Sequence, residues 1–499
     1  MKQYRLNFEK IKIYVIIIAF LALGLYVFNT LKNFSSSANE KKADTSADIV
    51  LNGNGEYSNG YDHGTVYSID GQAISADTEI TAGENKYMRH CGIPEFTPVL
   101  GIEGFGENGL INKLDITLHS SAKKANIDDR KGNNVQTTFS YNGQITASSL
   151  LKYYFPLSIC DGGASLAIVL KDGTVIVAAG SNAYQADFFD LNDEKTPEDI
   201  CVDKSAENYA VGSVAKGITS ATLLLNDKNI SDREYSLYNP QFEDVSFFSH
   251  GTHTIHNHDC YISAAYETVS DDGVLIRRIG LNQALVCSSN TYFWRHALNF
   301  GLDRTFNAMD EIFGITAPIR TEINTLNPVE VEKDRLDYFF WGQDFNTSPV
   351  RLCSMYNFAL SGEKYSPFYI TSVRTPDDVE VYRAKPQPTK TFKDDNMKKF
   401  LREGLAKCFK SYSQYMDFSV YGAYTQLIDD NRILSKSGTA DVIENEITNH
   451  SRILTVLDEN HDVVCTACIA VKRATNKCTV NDNILFDIMF KTLEASGIL

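Results

Sequence analysis

A serine and a lysine three positions apart, Ser213 and Lys216, open the helical pattern of residues 214–226. Residues with this spacing lie on one face of a helix, so the Lys216 amine can reach the Ser213 hydroxyl. A serine is a weak nucleophile until a base removes its proton, and a lysine can be that base if burial and the helix dipole lower its pKa. The same spacing recurs at Ser120/Lys123, Ser121/Lys124 and Ser361/Lys364. A solvated helix face is therefore the simpler explanation of any one pair taken alone.

Two clusters of polar residues downstream supply further hydrogen-bonding groups. Ser288 and Asn290 place a hydroxyl and an amide two positions apart, where a helix cap would use the same residue types. Residues 436–439 are Lys-Ser-Gly-Thr, in which the lysine and hydroxyls can hold a carboxylate and the glycine allows close approach to a ligand. A turn is the alternative there. Any one of these clusters can occur by chance in a chain of this length. All three in this order are far less probable by chance.

The segments around these clusters predict helices between two β-hairpins. Apolar β-rich runs at residues 165–179, and at 451–458 with 463–471, indicate the two hairpins. Helical patterns lie between them at 214–226, 281–300, 349–360 and 398–410. This arrangement favours an α+β fold, in which one antiparallel sheet is covered by helices and the two ends of the region meet.

In this order, the three clusters resemble the Ser-x-x-Lys, Ser-x-Asn and Lys-Ser/Thr-Gly active-site motifs of penicillin-binding proteins and serine β-lactamases. The flanking segments Trp341-Gly-Gln and Lys436-Ser-Gly-Thr-Ala resemble the transpeptidase domain of class B penicillin-binding proteins. The resemblance extends over about residues 60–499 and is strongest at 205–442. It implies a transpeptidase domain at 126–499 that follows a small, irregular, β-rich N-terminal module at 49–125.

The resemblance implies that this chain is a serine-type D,D-transpeptidase, which cross-links peptidoglycan stem peptides and binds β-lactams covalently. Ser213 would attack the carbonyl between the last two D-alanines of a stem peptide, with Lys216 as general base. Ser288 would relay the proton to the leaving amine. An amine of a neighbouring strand would then resolve the acyl-enzyme into a cross-link, without a metal or another cofactor.

The same resemblance assigns substrate-binding roles to the other residues of the motifs. Asn290 would hydrogen-bond the donor peptide. Lys436, Ser437 and Thr439 would bind its terminal carboxylate, and Gly438 would give it clearance. The backbone N–H groups of the nucleophile and of Thr439 would form the oxyanion hole.

Two other functions fit the same motifs. A D,D-carboxypeptidase or β-lactamase would form the same acyl-enzyme and hydrolyse it with water. A non-catalytic β-lactam sensor or scaffold would keep the pocket for binding alone, although the intact Ser213, Lys216, Ser288, Asn290 and Lys436 argue against a decayed site. The resemblance also implies a role in cell shape or cell division and a membrane glycosyltransferase partner of the SEDS type, which no residue identifies.

The sequence departs from the family pattern near the motifs. The nucleophile is usually preceded by Pro-Gly, and here by Val211 and Gly212. The Trp-Phe pair that commonly follows the Lys-Thr-Gly strand is replaced by Ser451 and Arg452. The N-terminal module is also short for the family. Because none of these changes removes a catalytic group, they bear on substrate and partner contacts.

The N-terminus predicts an uncleaved membrane anchor at residues 1–32. Residues 13–28 are an unbroken apolar run, and nineteen residues separate Lys12 from Lys32, close to the roughly 20 that a helix needs to cross a bilayer. The basic residues before the run predict a cytoplasmic N-terminus. A polar tether at 33–48 would then lead to an extracytoplasmic catalytic domain of a single-pass protein. A cleaved signal peptide is the alternative, for which the run is long.

Charge disfavours one class of partner. The 499 residues carry 47 Lys and Arg against 63 Asp and Glu, a formal net charge of −16. Because proteins bind phosphate backbones through basic faces, this composition argues against nucleic acid as the main partner. Residues 1–42 hold seven Lys or Arg and two Asp or Glu, so the remainder is more acidic still.

Two clusters contain residue types that bind metals. The first is a histidine-rich segment that contains His250, His253, His256 and His258. Its spacing matches no standard zinc pattern and favours a polar loop. The second is Cys465 and Cys468, which lie in a strand-like run where positions three apart face opposite sides of a sheet. A structural role is therefore predicted for both cysteines.

Overall fold

The computed structural model describes the following residues: 58–59, 64–81, 86–90, 93–101, 109–114, 132–160, 162–183, 202–227, 229–230, 235–236, 247–250, 253–256, 267–269, 275–413, 422–443, 447–475 and 477–499. Gly53–Leu499 forms one compact unit. The predicted anchor at 1–32 and tether at 33–48 lie outside the described residues. Among the residues that are described, no helix combines the length and apolar character needed to cross a membrane.

The α-helices within these ranges, numbered in chain order, are α1 (Thr97–Leu100), α2 (Leu110–Lys113), α3 (Tyr141–Tyr154), α4 (Ala215–Asn226), α5 (Leu281–Val286), α6 (Asn290–Phe300), α7 (Leu302–Phe313), α8 (Leu336–Phe339), α9 (Pro349–Ser361), α10 (Asp395–Ser413), α11 (Thr425–Asp429) and α12 (Asp482–Ala495). Short 3-10 helices lie at Pro94–Phe96, Gly212–Val214, Lys333–Arg335 and Gly422–Tyr424.

The strands within the same ranges are β1 (Ser58–Asn59), β2 (Val66–Tyr67), β3 (Ala73–Thr81), β4 (Lys86–His90), β5 (Asn134–Thr137), β6 (Ala164–Leu170), β7 (Val175–Gly180), β8 (Tyr209–Ala210), β9 (Tyr235–Ser236), β10 (Phe247–His250), β11 (His253–His256), β12 (Glu267–Val269), β13 (Leu275–Ile279), β14 (Ile319–Arg320), β15 (Thr325–Leu326), β16 (Asn346–Thr347), β17 (Glu363–Lys364), β18 (Ile370–Arg374), β19 (Glu380–Arg383), β20 (Lys390–Thr391), β21 (Ile433–Ile443), β22 (Ile447–Leu457) and β23 (Val463–Ala474).

The central sheet is antiparallel and has the strand order β21-β22-β23-β6-β7. Its two halves come from opposite ends of the transpeptidase region. β23 pairs with β6 from Cys465 opposite Leu170 to Val471 opposite Ala164. The two predicted hairpins therefore meet in one sheet, as the sequence indicates.

Buried side chains pack on both faces of this sheet. The helices α4, α9 and α10 contribute to the core on one face, and α3 and α12 to the core on the other. Cys465 packs in the core with α12, whereas Cys468 packs in the core with α9. The predicted placement of the two cysteines on opposite faces is confirmed. Because both faces are buried, β23 is a continuous apolar run rather than an alternating one.

A second sheet joins the N-terminal module to later parts of the chain. Its order is β1-β4-β3-β2-β5-β18-β19. β2 pairs in parallel with β5, and β5 pairs antiparallel with β18, so residues 66–67 and 370–374 share one neighbour. Residues 115–131, which contain the predicted domain boundary at 125/126, lie outside the described residues. That boundary stays a prediction.

Two sequence predictions differ from the structure. The helical pattern predicted at 281–300 forms two helices, α5 and α6, because the chain turns at Ser288, whose φ of 53° interrupts the helix. The histidine-rich segment, predicted as a polar loop, contains the hairpin β10–β11, in which His250 pairs with His253. Phenylalanine, threonine and isoleucine within these strands favour extended structure and outweigh the polarity of the histidines.

Candidate active site

The predicted nucleophile lies at the start of a buried helix, beside the edge strand β21. Ser213 is in the 3-10 turn Gly212–Val214, which leads directly into α4. Gly212 has a φ of 61°, and a Cβ there would lie 2.5 Å from the Thr439 carbonyl oxygen. Glycine suits both the left-handed backbone and the close approach. The nucleophile segment thus packs against the backbone of Thr439, the predicted second donor of the oxyanion hole.

The residue before this turn is held by hydrogen bonds on both sides. Val211 donates its N–H to the Phe345 carbonyl at 3.0 Å, and its own carbonyl accepts from the Ser451 hydroxyl at 2.5 Å. A proline, usual at this position in the family that the motifs resemble, has no N–H to donate. The two residues that differ from the family pattern, Val211 and Ser451, therefore contact each other. Their hydrogen bonds hold the segment before Ser213 between Phe345 and strand β22.

Lys216 is fully buried and lies at the centre of the site. Its Nζ is 2.8 Å from Ser213 Oγ, 2.5 Å from Asn290 Oδ1 and 2.6 Å from the Ser288 carbonyl oxygen. The Ser288 hydroxyl oxygen is 3.2 Å away. The structure therefore brings the first two motifs into contact, although Lys216 and Ser288 are 72 positions apart in the sequence.

These contacts suit a lysine that takes a proton from Ser213. The Ser288 carbonyl and Asn290 Oδ1 accept hydrogen bonds only, so they engage two N–H groups of the amine. A neutral amine then has its lone pair left, and the Ser213 hydroxyl is in position to donate to it. After proton transfer, the third N–H of the ammonium would point at the same oxygen. The same geometry therefore holds Lys216 before and after the transfer.

Ser288 lies between the two lysines of the site. Its Oγ is 3.2 Å from Lys216 Nζ and 3.0 Å from Lys436 Nζ. Its left-handed φ of 53° is uncommon for a residue with a side chain, and backbone strain of this kind clusters at functional sites. The helix cap is the next residue, Ser289, whose Oγ accepts from the Tyr292 N–H at 3.2 Å. Ser288 thus does not cap α6, and its hydroxyl faces the two amines.

Lys436 and Ser437 project to opposite faces of β21, as neighbours on a strand do. Lys436 is buried, and its contact with Ser288 Oγ joins the third motif to the first two. Ser437 Oγ lies 2.7 Å from the hydroxyl oxygen of Tyr412, near the end of α10. On the adjacent strand β22, Arg452 is the residue that pairs with Ser437. Lys436 therefore belongs to the cluster around Ser213, whereas the nearest side-chain neighbours of Ser437 lie on the other face.

Gly438 and Thr439 complete the third motif. A Cβ at Gly438 would lie 2.2 Å from the Val211 carbonyl oxygen and 2.5 Å from Ser451 Oγ. The missing side chain therefore makes room for the nucleophile segment, which is a different contact from the ligand clearance that the resemblance implies. Thr439 is exposed, at a position that a ligand can reach.

Comparisons with known proteins gave matches only at the level of structure. No protein-family model matches the sequence, and a search of curated proteins returned no relative. The D,D-transpeptidase domain of a peptidoglycan glycosyltransferase from Eggerthella lenta has a TM-score of 0.67 at 17% identity, over 88% of this chain and 100% of that one. Penicillin-binding protein A from M. tuberculosis, as a ceftriaxone acyl-enzyme complex, has a TM-score of 0.70 at 18% identity, over 87% and 98%.

A third solved structure, PBP3 from Mycobacterium tuberculosis complexed with aztreonam, has a TM-score of 0.66 at 14% identity, over 87% of this chain and 96% of that one. This chain has the penicillin-binding transpeptidase fold. The predicted α+β architecture, an antiparallel sheet covered by helices, is thereby confirmed. At such identities the likeness establishes the fold and leaves the roles of individual residues to the geometry of the site.

Within this transpeptidase fold, sequence reasoning missed Tyr356, which supports the start of α4. Its hydroxyl donates to the Val214 carbonyl at 2.6 Å, and a Cβ at Gly217 would lie 2.2 Å from its oxygen. Burial raises the pKa of Tyr356 well above its ordinary value, so the phenol stays protonated and keeps donating. Tyr356 lies on α9, 142 positions from Val214, so no local signal marks the contact.

The Trp341-Gly-Gln segment also packs against the turn that contains Ser213. Gly342 has a φ of 105°, and a Cβ there would lie 1.8 Å from the Gly212 carbonyl oxygen. The Phe340 carbonyl just before it accepts from the Thr219 hydroxyl of α4 at 2.8 Å. From the sequence alone, this segment was informative only because it resembles the family. The structure gives it a physical role, which is to pack against the turn before Ser213.

A buried thiol, that of Cys408, lies near Lys436. Burial raises the pKa of the Cys408 thiol to about 11, even though the nearby Lys436 opposes the shift, so this cysteine is a neutral core residue. Across the described residues, no three His, Cys, Asp or Glu side chains are grouped to hold a metal ion. His258 lies outside the described residues, and the expectation that the histidine-rich segment binds no metal stays a prediction.

Proposed function

We propose that this chain is a peptidoglycan D,D-transpeptidase that works through an acyl-enzyme on Ser213 and is acylated by β-lactams. The observation that carries the proposal is the position of Lys216. Its buried amine contacts the Ser213 hydroxyl, the Asn290 amide and both oxygens of Ser288. A serine whose proton has a buried amine acceptor is an activated nucleophile.

The proposed reaction begins when Ser213 Oγ attacks the carbonyl between the last two D-alanines and its proton passes to Lys216. The backbone N–H groups of Ser213 and Thr439 stabilise the oxyanion. Collapse of this intermediate breaks the peptide bond, and the proton held by Lys216 passes through Ser288 to the departing D-alanine amine. An amine of a second stem peptide then attacks the ester, forms the cross-link, and returns the proton to Ser213.

Substrate binding is proposed for the groups around this nucleophile. Asn290 orients the donor peptide, and Thr439 and Ser437 bind its terminal carboxylate. Lys436 supplies positive charge beside Ser288 Oγ, at 3.0 Å, where it favours delivery of the Ser288 proton and attracts the carboxylate. The N-terminal end of α4 adds partial positive charge to the same place.

The proposal extends to the location of the protein. The apolar run at residues 13–28 would anchor it in the membrane with a cytoplasmic N-terminus, so that Ser213 meets peptidoglycan outside the cell. A membrane glycosyltransferase that supplies glycan strands is the proposed partner. Removal of residues 1–32 should move the protein from the membrane fraction to the soluble fraction.

The test supplies the full-length chain with a peptide ending in D-Ala-D-Ala and an amine acceptor, and separates the products by mass. We expect a new amide between donor and acceptor, together with released D-alanine. Hydrolysed donor without the amide would favour the carboxypeptidase or β-lactamase reaction. Covalent binding of a reporter penicillin without turnover of either kind would favour the non-catalytic sensor, and absence of both binding and turnover would refute the acyl-enzyme.

A further inference from the structure

The Ser437 hydroxyl contacts a tyrosine hydroxyl on its face of β21. The hydroxyl oxygen of Tyr412 lies 2.7 Å from Ser437 Oγ and also accepts from the Ser437 N–H at 3.4 Å. Tyr412 is on α10, 25 positions before Ser437, and belongs to none of the three motifs. It therefore contacts a carboxylate-binding residue of the proposed site through two atoms of that residue.

Either oxygen of the hydroxyl pair could be the donor, and the two contacts are compatible with the direction in which Tyr412 donates to Ser437 Oγ. Because the Tyr412 oxygen accepts from the Ser437 N–H, its own proton is in position to be donated to Ser437 Oγ. Ser437 then has its own hydroxyl proton left to donate. A carboxylate only accepts hydrogen bonds, so a serine with its proton directed outward is the form that binds it.

The Tyr412 ring is itself held in place. The Arg452 guanidinium carbon lies 4.9 Å from the centre of this ring and 5.2 Å from that of Phe486, so the cation contacts both rings. Arg452 is buried and forms an ion pair with Asp482 at the start of α12. Arg452 occupies the position where the family commonly has an aromatic residue, so a cation–π contact with Tyr412 stands in its place.

We infer that Tyr412 is a positioning residue for recognition of the substrate carboxylate, and that it acts by fixing the hydroxyl of Ser437. The inference rests on the proposed acyl-transfer function, for which it adds a specificity determinant outside the motifs. It requires that the Tyr412 hydroxyl affect ligands with a terminal carboxylate more than ligands without one.

The experiment measures acylation of the full-length chain by benzylpenicillin and by benzylpenicillin methyl ester, which lacks the anionic carboxylate. For Tyr412→Phe we expect the acylation efficiency with benzylpenicillin to fall about five- to tenfold, the loss associated with one hydrogen bond between neutral groups. The benzylpenicillin concentration that gives the half-maximal acylation rate should rise, and the limiting acylation rate should stay unchanged. The methyl ester should be unaffected.

Tyr424→Phe is the matched control. Tyr424 is buried, and its hydroxyl donates to Glu494 of α12 rather than to a residue of β21. This variant should lose thermal stability without changing the ratio between the two ligands. In a Ser437→Ala background, Tyr412→Phe should cause no further loss, because the residue through which it acts has been removed.

The outcomes separate the inference from the proposed function. Failure of benzylpenicillin to label the wild type would overturn the proposed function itself. Normal labelling of the wild type, with Tyr412→Phe slowing both ligands equally or neither, would overturn the inference alone. A further loss in the Ser437→Ala background would do the same.

Discussion

Two Ser-x-x-Lys pairs of this chain, Ser213/Lys216 and Ser361/Lys364, have the same spacing and different surroundings. The first pair opens helix α4, and Lys216 Nζ contacts Ser213 Oγ at 2.8 Å. The second pair lies at the end of helix α9, of which Ser361 is the last residue. Ser361 donates to the Glu363 carbonyl at 3.2 Å, and Lys364 donates to the Phe313 carbonyl at 2.7 Å. The serine and lysine of the second pair therefore have separate partners.

The difference comes from which end of a helix the pair occupies. At the start of α4, the 3-10 turn runs straight into the helix, so Ser213 and Lys216 stay on one face. After Ser361, Gly362 adopts a left-handed conformation with a φ of 84°, and Lys364 continues in the strand β17. The helix dipole adds to the contrast, because its N-terminal end favours a developing anion and its C-terminal end does not.

Side chains from elsewhere in the chain complete only the first pair. Ser288, Asn290 and Lys436 converge on Ser213 and Lys216, whereas the amine of Lys364 contacts a backbone carbonyl. Spacing thus supplies a pair that can be catalytic, and the fold decides which copy is joined by further polar side chains. The following variants test that conclusion at matched positions in the two regions.

The largest effect is expected from loss of the lysine. In Lys216→Met, Ser213 loses its proton acceptor, and the acylation rate by a reporter penicillin should fall about 10²- to 10⁴-fold, the usual contribution of a general base. Lys364→Met should leave that rate unchanged in folded protein. A similar fall in both variants would show that the comparison between the two pairs is wrong.

The glycine beside each pair gives the second test. In Gly212→Ala, the Cβ would meet the Thr439 carbonyl at 2.5 Å and displace the proposed oxyanion hole, so acylation should fall about 10²-fold. In Gly362→Ala, the Cβ would meet the Phe392 carbonyl at 2.6 Å, again with a positive φ. This variant should lose about 1–3 kcal/mol of unfolding free energy and keep its acylation rate. Equal effects of the two changes on acylation would contradict the assignment.

A smaller effect is expected from Tyr356→Phe. The change removes the hydrogen bond to the Val214 carbonyl and leaves a buried acceptor, at a cost of about 1–3 kcal/mol of unfolding free energy. Because the contact supports the start of α4, acylation should fall by less than about tenfold. Thermal unfolding and labelling kinetics measured on one preparation would check both. Full activity with unchanged stability would show that the contact supports neither.

The smallest effect concerns pH and stability alone. Burial, followed by the charges of Arg351 and Lys390, lowers the pKa of Lys364 below its ordinary value of 10.5. The folded state therefore loses this proton at a lower pH than the unfolded chain does. Between those two pKa values, the Lys364 contribution to the unfolding free energy should increase with pH, and it should be absent from Lys364→Met. Urea unfolding from neutral pH to about pH 10.5 measures the difference. A contribution that decreases with pH would contradict this environment for Lys364.

Much of this arrangement could be predicted from the sequence. The two hairpins, the helix after Ser213 and the three motifs are local patterns of apolar periodicity and residue type, and the structure places them as expected. The family resemblance gave the order of the three motifs its meaning, because the spacing within any one motif is not specific. The described residues contain these features, while the predicted anchor lies outside them.

Other features could not be predicted because they depend on contacts between distant segments. The left-handed turn at Ser288 interrupts what the sequence presents as one helix, since no glycine or proline marks it. Tyr356 and Tyr412 reach the site from α9 and α10, and nothing in their local sequence distinguishes them from core tyrosines. In the histidine-rich segment the error was of another kind. Its polar composition predicted a loop, but the strand-forming residues between the histidines favour the hairpin that the structure has.

Acylation on Ser213 is tested by identifying the serine that carries the adduct. The full-length chain is acylated with a β-lactam and digested, and the peptides containing Ser213 and Ser361 are compared by mass spectrometry. We predict one adduct on the Ser213 peptide and its loss in Ser213→Ala. An adduct on the Ser361 peptide, or an adduct that persists at the same stoichiometry in Ser213→Ala, would contradict it.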